Sequence, residues 1–269
     1  MPATPAWPPA STPRLFVEAP LVAGDERRID GSAAHYLGTV MRVQPGDPLL
    51  LFDDSSGEWL ARVTHRGKRD LAVRIEAQTR LRETVPDLWL CIAPIKKGRI
   101  DWVVEKATEL GAARIVPVLT ARTIVDRLNR DRLRAHAIEA AEQCGRTALP
   151  EIDAPEKLAV WLRGFPAGRT LFFADEAHGG GGDAAAAMAV PGPAAILIGP
   201  EGGFTDEERA MIRAHPAAVP VGLGPRILRA ETAAVAALSV WMAATGAWRG
   251  DALQNGTGQQ CGQRVKGGA

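Results

Sequence analysis

Three cysteines among 269 residues, Cys91, Cys144 and Cys261, are too scattered and too odd in number for a disulfide framework. The chain has no C-x-x-C pair, and none of its five histidines stands at ligand spacing from a second ligand, so no zinc or other metal site is expected. Cys91 lies in an apolar run and Cys144 in a helical pattern, which makes both packed thiols. The longest apolar run, 233–244, is broken by Ser239 and built mostly from Ala, short of the roughly 20 residues a bilayer span requires. The opening Met1-Pro2-Ala3-Thr4-Pro5 lacks a basic stretch leading into an apolar core, so a soluble, cytoplasmic protein is expected. Also missing are the G-x-G-x-x-G of a dinucleotide site and any Ser-His-Asp or Cys-His set. The glycine run 179–182 lacks the Lys-Ser/Thr of a phosphate-binding P-loop and reads as a loop entering a short helix.

What is present is ordinary globular material, 46% hydrophobic and 23% charged, enough for one large or two modest domains. Its charge is uneven. From Arg62 to Arg134 there are 17 Lys and Arg against 9 Asp and Glu, an excess of eight in a chain whose net charge is +1. Such asymmetry points to a polyanionic partner, although solvated helix faces rich in Arg would produce it too.

Residues 1–13, rich in Pro, Ala and Thr, and residues 250–269, rich in Gly and Gln, read as disordered tails. From Arg14 to Arg82 short apolar or alternating runs (15–17, 48–52, 59–63, 71–75) are separated by turn residues such as Gln44-Pro45-Gly46-Asp47 and Asp54-Ser55-Ser56-Gly57. One helix interrupts them, with Ser32 as its N-cap and Leu37, Val40 and Met41 as its apolar stripe. This is the pattern of a small β-barrel. Beyond Pro86 strands (88–95, 114–119, 170–174, 194–198, 218–221) alternate with helices. Ile100, Val103, Val104, Ala107 and Leu110 mark one helix and Gly111 its stop; Thr205-Asp206-Glu207-Glu208 opens a second with a capping box; a third runs from Glu231 to Ala247. The second region, 86–248, is therefore an α/β domain with a mainly parallel sheet.

Two segments carry candidate chemistry. In Ile196-Leu197-Ile198-Gly199-Pro200-Glu201-Gly202-Gly203-Phe204-Thr205 a buried strand enters a glycine-rich turn before a capped helix. In Val221-Gly222-Leu223-Gly224-Pro225-Arg226-Ile227-Leu228-Arg229-Ala230-Glu231-Thr232-Ala233 a strand again ends in a glycine-bearing loop, and the next helix has a carboxylate in its first turn. Glycines let a backbone approach a ligand closely, and open α/β sheets bind ligands at the carboxyl ends of their strands. The plainer account is a pair of tight strand–helix turns, with Glu231 satisfying a helix dipole.

Together these segments resemble the cofactor loops of the SPOUT superfamily, in particular its 16S rRNA (uracil-N3)-methyltransferase family. The stretch Lys96-Lys97-Gly98-Arg99-Ile100-Asp101-Trp102-Val103-Val104-Glu105-Lys106-Ala107-Thr108-Glu109-Leu110-Gly111 is similar to the family's signature helix. Glu139-Ala140-Ala141-Glu142-Gln143-Cys144-Gly145-Arg146 is similar to a second family segment, and 35–47 to its PUA-like RNA-binding barrel. The resemblance spans about residues 14–248. It implies a PUA-like barrel over 14–82, a SPOUT domain with a trefoil knot over 86–248, and a homodimer whose interface uses the Ala-rich last helix. It further implies S-adenosyl-L-methionine held by Leu197, Ile198, Gly199, Pro200, Glu201, Gly202 and Gly203 and by Leu223, Gly224, Ile227, Leu228, Thr232 and Ala233. The substrate would be 16S rRNA of the small ribosomal subunit, methylated at uridine N3. Arg229 would stabilise the developing uridine anion, with Glu231 orienting it or touching the substrate. Arg14, Arg42, the 62–82 face, Lys96, Lys97 and Arg99 would grip RNA, while the arginines of 122–134 would be a solvated helix face. The chain departs from the family's usual Thr at Ala230 and usual Glu at Ala121. Methylation of another base or a ribose, or RNA binding without catalysis, are the competing readings.

Overall fold

The computed structural model describes residues 12–125, 127–175 and 183–248. The expected tail 250–269, most of the expected leader 1–13 and the glycine run 179–182 lie outside these. Pro13 does not belong to a loose leader: its carbonyl accepts a 2.9 Å hydrogen bond from the Leu50 amide.

The first sheet comprises β1 (Arg14–Phe16), β2 (Glu26–Ile29), β3 (Pro48–Asp53), β4 (Gly57–Arg66) and β5 (Leu71–Leu81), in the order β1-β3-β4-β5-β2. Only β1 and β3 pair in parallel. Alternation sends Leu49 and Leu51, Ala61 and Val63, and Leu71, Val73 and Ile75 into one core, with Leu37 from the connecting segment. Gly57, at φ +110°, is required where the β3–β4 turn enters β4, because a Cβ there would lie 2.4 Å from the Arg80 carbonyl of β5. The expected helix is only α1 (Gly31–His35), which follows Asp30 rather than a Ser32 cap and widens at once into a π-type turn, Tyr36–Val40. That widening breaks the expected stripe: Leu37 is buried, whereas Val40 is 61% exposed.

The second sheet is wholly parallel. Its strands are β6 (Leu88–Ile92), β7 (Arg114–Leu119), β8 (Glu151–Ile152), β9 (Glu156–Lys157), β10 (Thr170–Ala174), β11 (Ala194–Ile198) and β12 (Ala218–Val221). Their order is β12-β10-β11-β6-β7-β8, with β9 also on β7. The helices are α2 (Arg99–Glu109), α3 (Arg130–Cys144), α4 (Leu158–Arg163), α5 (Ala184–Met188), α6 (Asp206–Arg213) and α7 (Ala230–Ala244). They cover both faces, so the strands are continuous apolar runs. Leu90, Ile92, Ile196 and Ile198 pack under α2 and α7, while Cys91, Leu197 and Phe173 join Trp161 of α4 and Ile212 of α6. Burial pushes the Cys91 thiol well above its ordinary pKa, as a packed, inert thiol requires, whereas Cys144, expected to be packed as well, is exposed at the end of α3. After edge strand β12 the chain returns across the sheet to seat α7 against β11, β6 and α2.

The two sheets are bolted together by a guanidinium. Arg14 donates to Glu58 (2.5 Å), to the Ala141 carbonyl (2.5 Å) and to the Arg146 carbonyl (2.7 Å), and lies over the Phe52 ring. Arg80 donates to the same Glu58 carboxylate and to the Gly145 carbonyl. Although burial works against its charge, these hydrogen bonds hold Glu58 below the usual carboxylate range. Among the described residues no helix is long and apolar enough to cross a membrane, and no His, Cys, Asp and Glu cluster could hold a metal ion.

Candidate functional site

The carboxyl ends of β10, β11 and β12 open into one cavity of about 450 Å³, inside the roughly 300–1,000 Å³ of small-molecule pockets. The loops after β11 and β12 form opposite walls. Ile198, Gly199, Pro200, Glu201 and Gly203 line it from the first; Leu223, Gly224, Ile227, Leu228, Arg229 and Ala233 from the second. Gly199 permits a close approach, since a Cβ there would lie 3.1 Å from the Phe204 ring. Thr205 caps α6 through Glu208, as its capping box predicts, which fixes where the first loop ends.

Three expected cofactor residues stand apart from the cavity wall. Leu197 faces the opposite side of the sheet because side chains alternate along a strand. Thr232 and Gly202 are also off the wall. The Gly202 carbonyl instead accepts a 2.6 Å hydrogen bond from Arg122, and Glu208 accepts one of 2.6 Å from the Ala121 amide. Arg122 is therefore no solvated helix residue: it fastens the first loop through backbone contacts that do not need a Glu at position 121.

Arg229 occupies the N-cap position of α7 and is exposed at the cavity edge, with no acidic partner among the described residues. Glu231, in the first turn of α7, is mostly buried. One of its oxygens lies 3.7 Å from an Arg99 nitrogen and the other has no hydrogen-bond partner. The same Arg99 nitrogen is 3.8 Å from Glu201. The cation beside Glu231 is thus Arg99, and no contact between Glu231 and Arg229 is seen among the described residues; Arg99 stands between both loops and α2. Its own placement is secured by Asp101, which accepts from the Gly98 amide (3.1 Å) and lies 3.0 Å from Arg132 of α3.

The remaining RNA expectations divide. Lys96, Lys97 and Arg42 are exposed. Arg14 is corrected: its side chain is 10% exposed and belongs to the junction between sheets, where burial among a carboxylate, two carbonyls and the Phe52 ring keeps a phosphate from reaching it. Sequence reasoning also missed Asp175, at the end of β10 in the cavity wall, and its ion partners Arg209 and Arg213 on α6. A polar residue just past an apolar strand at the ligand-binding end of a parallel sheet was the available signal.

Known proteins agree with this arrangement. Residues 82–242 match an RNA methyltransferase domain and residues 29–76 an RNA methyltransferase PUA domain. The chain is 32% identical over 208 residues to ribosomal RNA small subunit methyltransferase E of Rickettsia conorii, covering 76% of this chain and 84% of that one. It is 30% identical over 236 residues to the Bacillus subtilis protein of the same name, covering 83% and 92%. The crystal structure of ribosomal RNA small subunit methyltransferase E from Neisseria gonorrhoeae bound to S-adenosyl methionine aligns with a TM-score of 0.76 at 28% identity, over 86% of this chain and 97% of that chain.

Proposed function

We propose, from the premise that the chain belongs to the ribosomal RNA small subunit methyltransferase E family of RNA methyltransferases, that it methylates N3 of a uridine in 16S rRNA. The observation that carries the reading is the cavity between two glycine-bearing loops, with an unpaired arginine at its edge. The residues present suit S-adenosyl-L-methionine: Ile198, Leu223 and Leu228 offer apolar surface to an adenosine, and Glu201 offers charge to a ligand with cationic groups. When bound, that cofactor supplies an electrophilic methyl group.

The protein's task is then to present a uracil edge and manage its proton. N3 lies on the Watson–Crick edge, so the target has to be unpaired or flipped out. Loss of the N3 proton leaves charge on the ring, and Arg229 is placed to stabilise it. Glu231, held by Arg99 with one oxygen uncommitted, is placed to accept a hydrogen bond from the substrate. Positioning by the two loops supplies the rest. We also read the return of the chain from β12 to α7 as the knotted segment. The outer face of α7, where Val235, Ala236, Ser239 and Val240 are half-buried and Ala243 exposed, is the interface of a homodimer working in the cytoplasm. The first sheet serves as the RNA-binding module, gripping with Arg42, and Lys96 extends that surface beside the cavity.

Mass spectrometry of small-subunit rRNA nucleosides, with and without the gene, tests the reaction. Loss of 3-methyluridine is expected; loss of a different methylated nucleoside would reassign the target, and no change would favour RNA binding without catalysis. With purified protein, Arg229→Ala should lower turnover by about 100-fold or more, as for loss of one charge-stabilising donor. The fold and cofactor binding should be retained, and unchanged turnover would remove Arg229 from the mechanism.

A further inference from the structure

A second cavity, of about 250 Å³, opens on the β6–β7 side of the same sheet edge. Its floor is apolar, made by Ile95, Ile100 and Leu128. Lys97, from the loop before α2, and Arg127, from the segment before α3, stand on its rim. Both are exposed, and neither has an acidic partner among the described residues. Arg132 reaches in from α3; Asp101 engages one end of its guanidinium, but its buried Nε has no hydrogen-bond partner. The cavity begins one residue along α2 from Arg99, and so adjoins the cofactor cavity without sharing a lining residue with it.

Two unpaired cations converging on a concave, partly apolar surface are matched by a phosphodiester with its sugar. A bare inorganic anion would leave the apolar floor unused, and a protein partner would need a larger surface. We propose that this cavity is a subsite for one backbone phosphate of single-stranded RNA flanking the target uridine, held between Lys97 and Arg127. The inference rests on the RNA methyltransferase reading for its ligand, and it turns Arg127 from a solvated residue into a substrate contact. Anchoring the strand beside the target limits where the flipped base can go, so the subsite acts on binding and placement and takes no part in proton or methyl transfer.

The test measures binding of a single-stranded small-subunit rRNA fragment to the full-length protein over a range of salt, without cofactor. Arg127→Glu is compared with Arg163→Glu, the same charge change on α4 across the sheet. Arg127→Glu is expected to weaken RNA binding about tenfold or more and to lower the slope of log affinity against log salt by about 0.7, the share of one single-strand phosphate. Lys97→Ala should move both quantities the same way and less. Cofactor affinity, measured separately, should not change. Equal losses in the two charge reversals would overturn the proposal, leaving a diffuse field effect. Inorganic phosphate at constant ionic strength should compete with RNA on the unsubstituted protein and lose that effect in Arg127→Glu. Phosphate binding at the cavity with no change in RNA affinity would also overturn it, assigning the site to a free anion. A protein that binds RNA as expected but transfers no methyl group would instead strike at the function proposed above.

Discussion

Two regions rich in arginine use the residue in opposite ways. In the first sheet most guanidiniums are spent on neighbours: Arg14 and Arg80 share Glu58, Arg62 grips Glu76, Arg82 pairs with Asp54 and Arg28 with Asp70. Around the edge of the second sheet, Lys97, Arg127 and Arg229 have no acidic partner among the described residues and face cavities. The excess of eight positive charges over 62–134 therefore does not measure the RNA surface. What counts for a polyanion is which cations are left over after internal pairing, because a bound carboxylate must first be displaced. Within the first domain, with Arg27 and Arg66 engaged by carbonyls, that leaves Arg42, Lys68, Arg69 and Arg74 without an acidic partner among the described residues.

Arg99 lies on the boundary between these uses, and its substitution should have the largest effect. It is charged, on the basic surface and next to both cavities, yet its nitrogen sits between Glu201 and Glu231. If it is a positioning residue, Arg99→Ala should lower kcat/KM by about 100-fold, in the range of lost precise placement, and weaken cofactor binding, while the salt slope of RNA binding holds steady. Arg99→Lys should recover part of the activity, since charge survives but planar geometry does not. A fall in slope with normal kcat would move Arg99 into the phosphate-binding group and erase the boundary.

Arg14 comes next. Arg14→Ala leaves the nearly buried Glu58 with the Arg80 guanidinium and the Thr79 hydroxyl, and strips the Phe52 ring of its cation. Breaking such a buried pair should cost about 3–5 kcal/mol, read as a lower denaturation midpoint with unchanged RNA salt dependence. The same carboxylate predicts acid sensitivity. Glu58 titrates below its ordinary value in the fold, so its contribution is complete above the unfolded carboxylate pKa of about 4.3. It is lost as pH falls through the folded value. The unsubstituted protein should lose more stability between neutral and acid pH than Glu58→Gln does; parallel curves would mean the carboxylate is not held as described.

How much of this was legible in the chain follows the same division. The strands of the second sheet were readable because both faces are buried, which makes each an unbroken apolar run, and 114–119, 170–174, 194–198 and 218–221 coincide with β7, β10, β11 and β12. β2, with the sequence Glu26-Arg27-Arg28-Ile29, and the outer half of β5 were invisible because their side chains are solvated and only their backbones are paired. The two cofactor loops were marked by glycine and by the family resemblance. Asp175, Arg122 and the second cavity were not, because each depends on contacts between segments far apart in sequence. Periodicity reports which face of an element is buried and is silent about which charge meets which.

The smallest effect is expected at Arg62, and it is the most exacting check on the comparison. Its guanidinium donates to both oxygens of Glu76, at 2.6 and 3.2 Å, and to the Gly46 carbonyl at 2.8 Å. The Glu76 contact pushes its pKa up. A phosphate approaching Arg62 would have to dislodge a carboxylate already in bidentate geometry, exchanging one charge-assisted pair for another with little gain. Arg62→Ala should thus leave RNA affinity, salt slope and melting temperature where they were, although it removes a positive charge from the face that composition alone nominates for RNA. If the slope drops as far as in Arg127→Glu, pairing inside the protein does not withdraw an arginine from the RNA surface, and the two regions differ only in location.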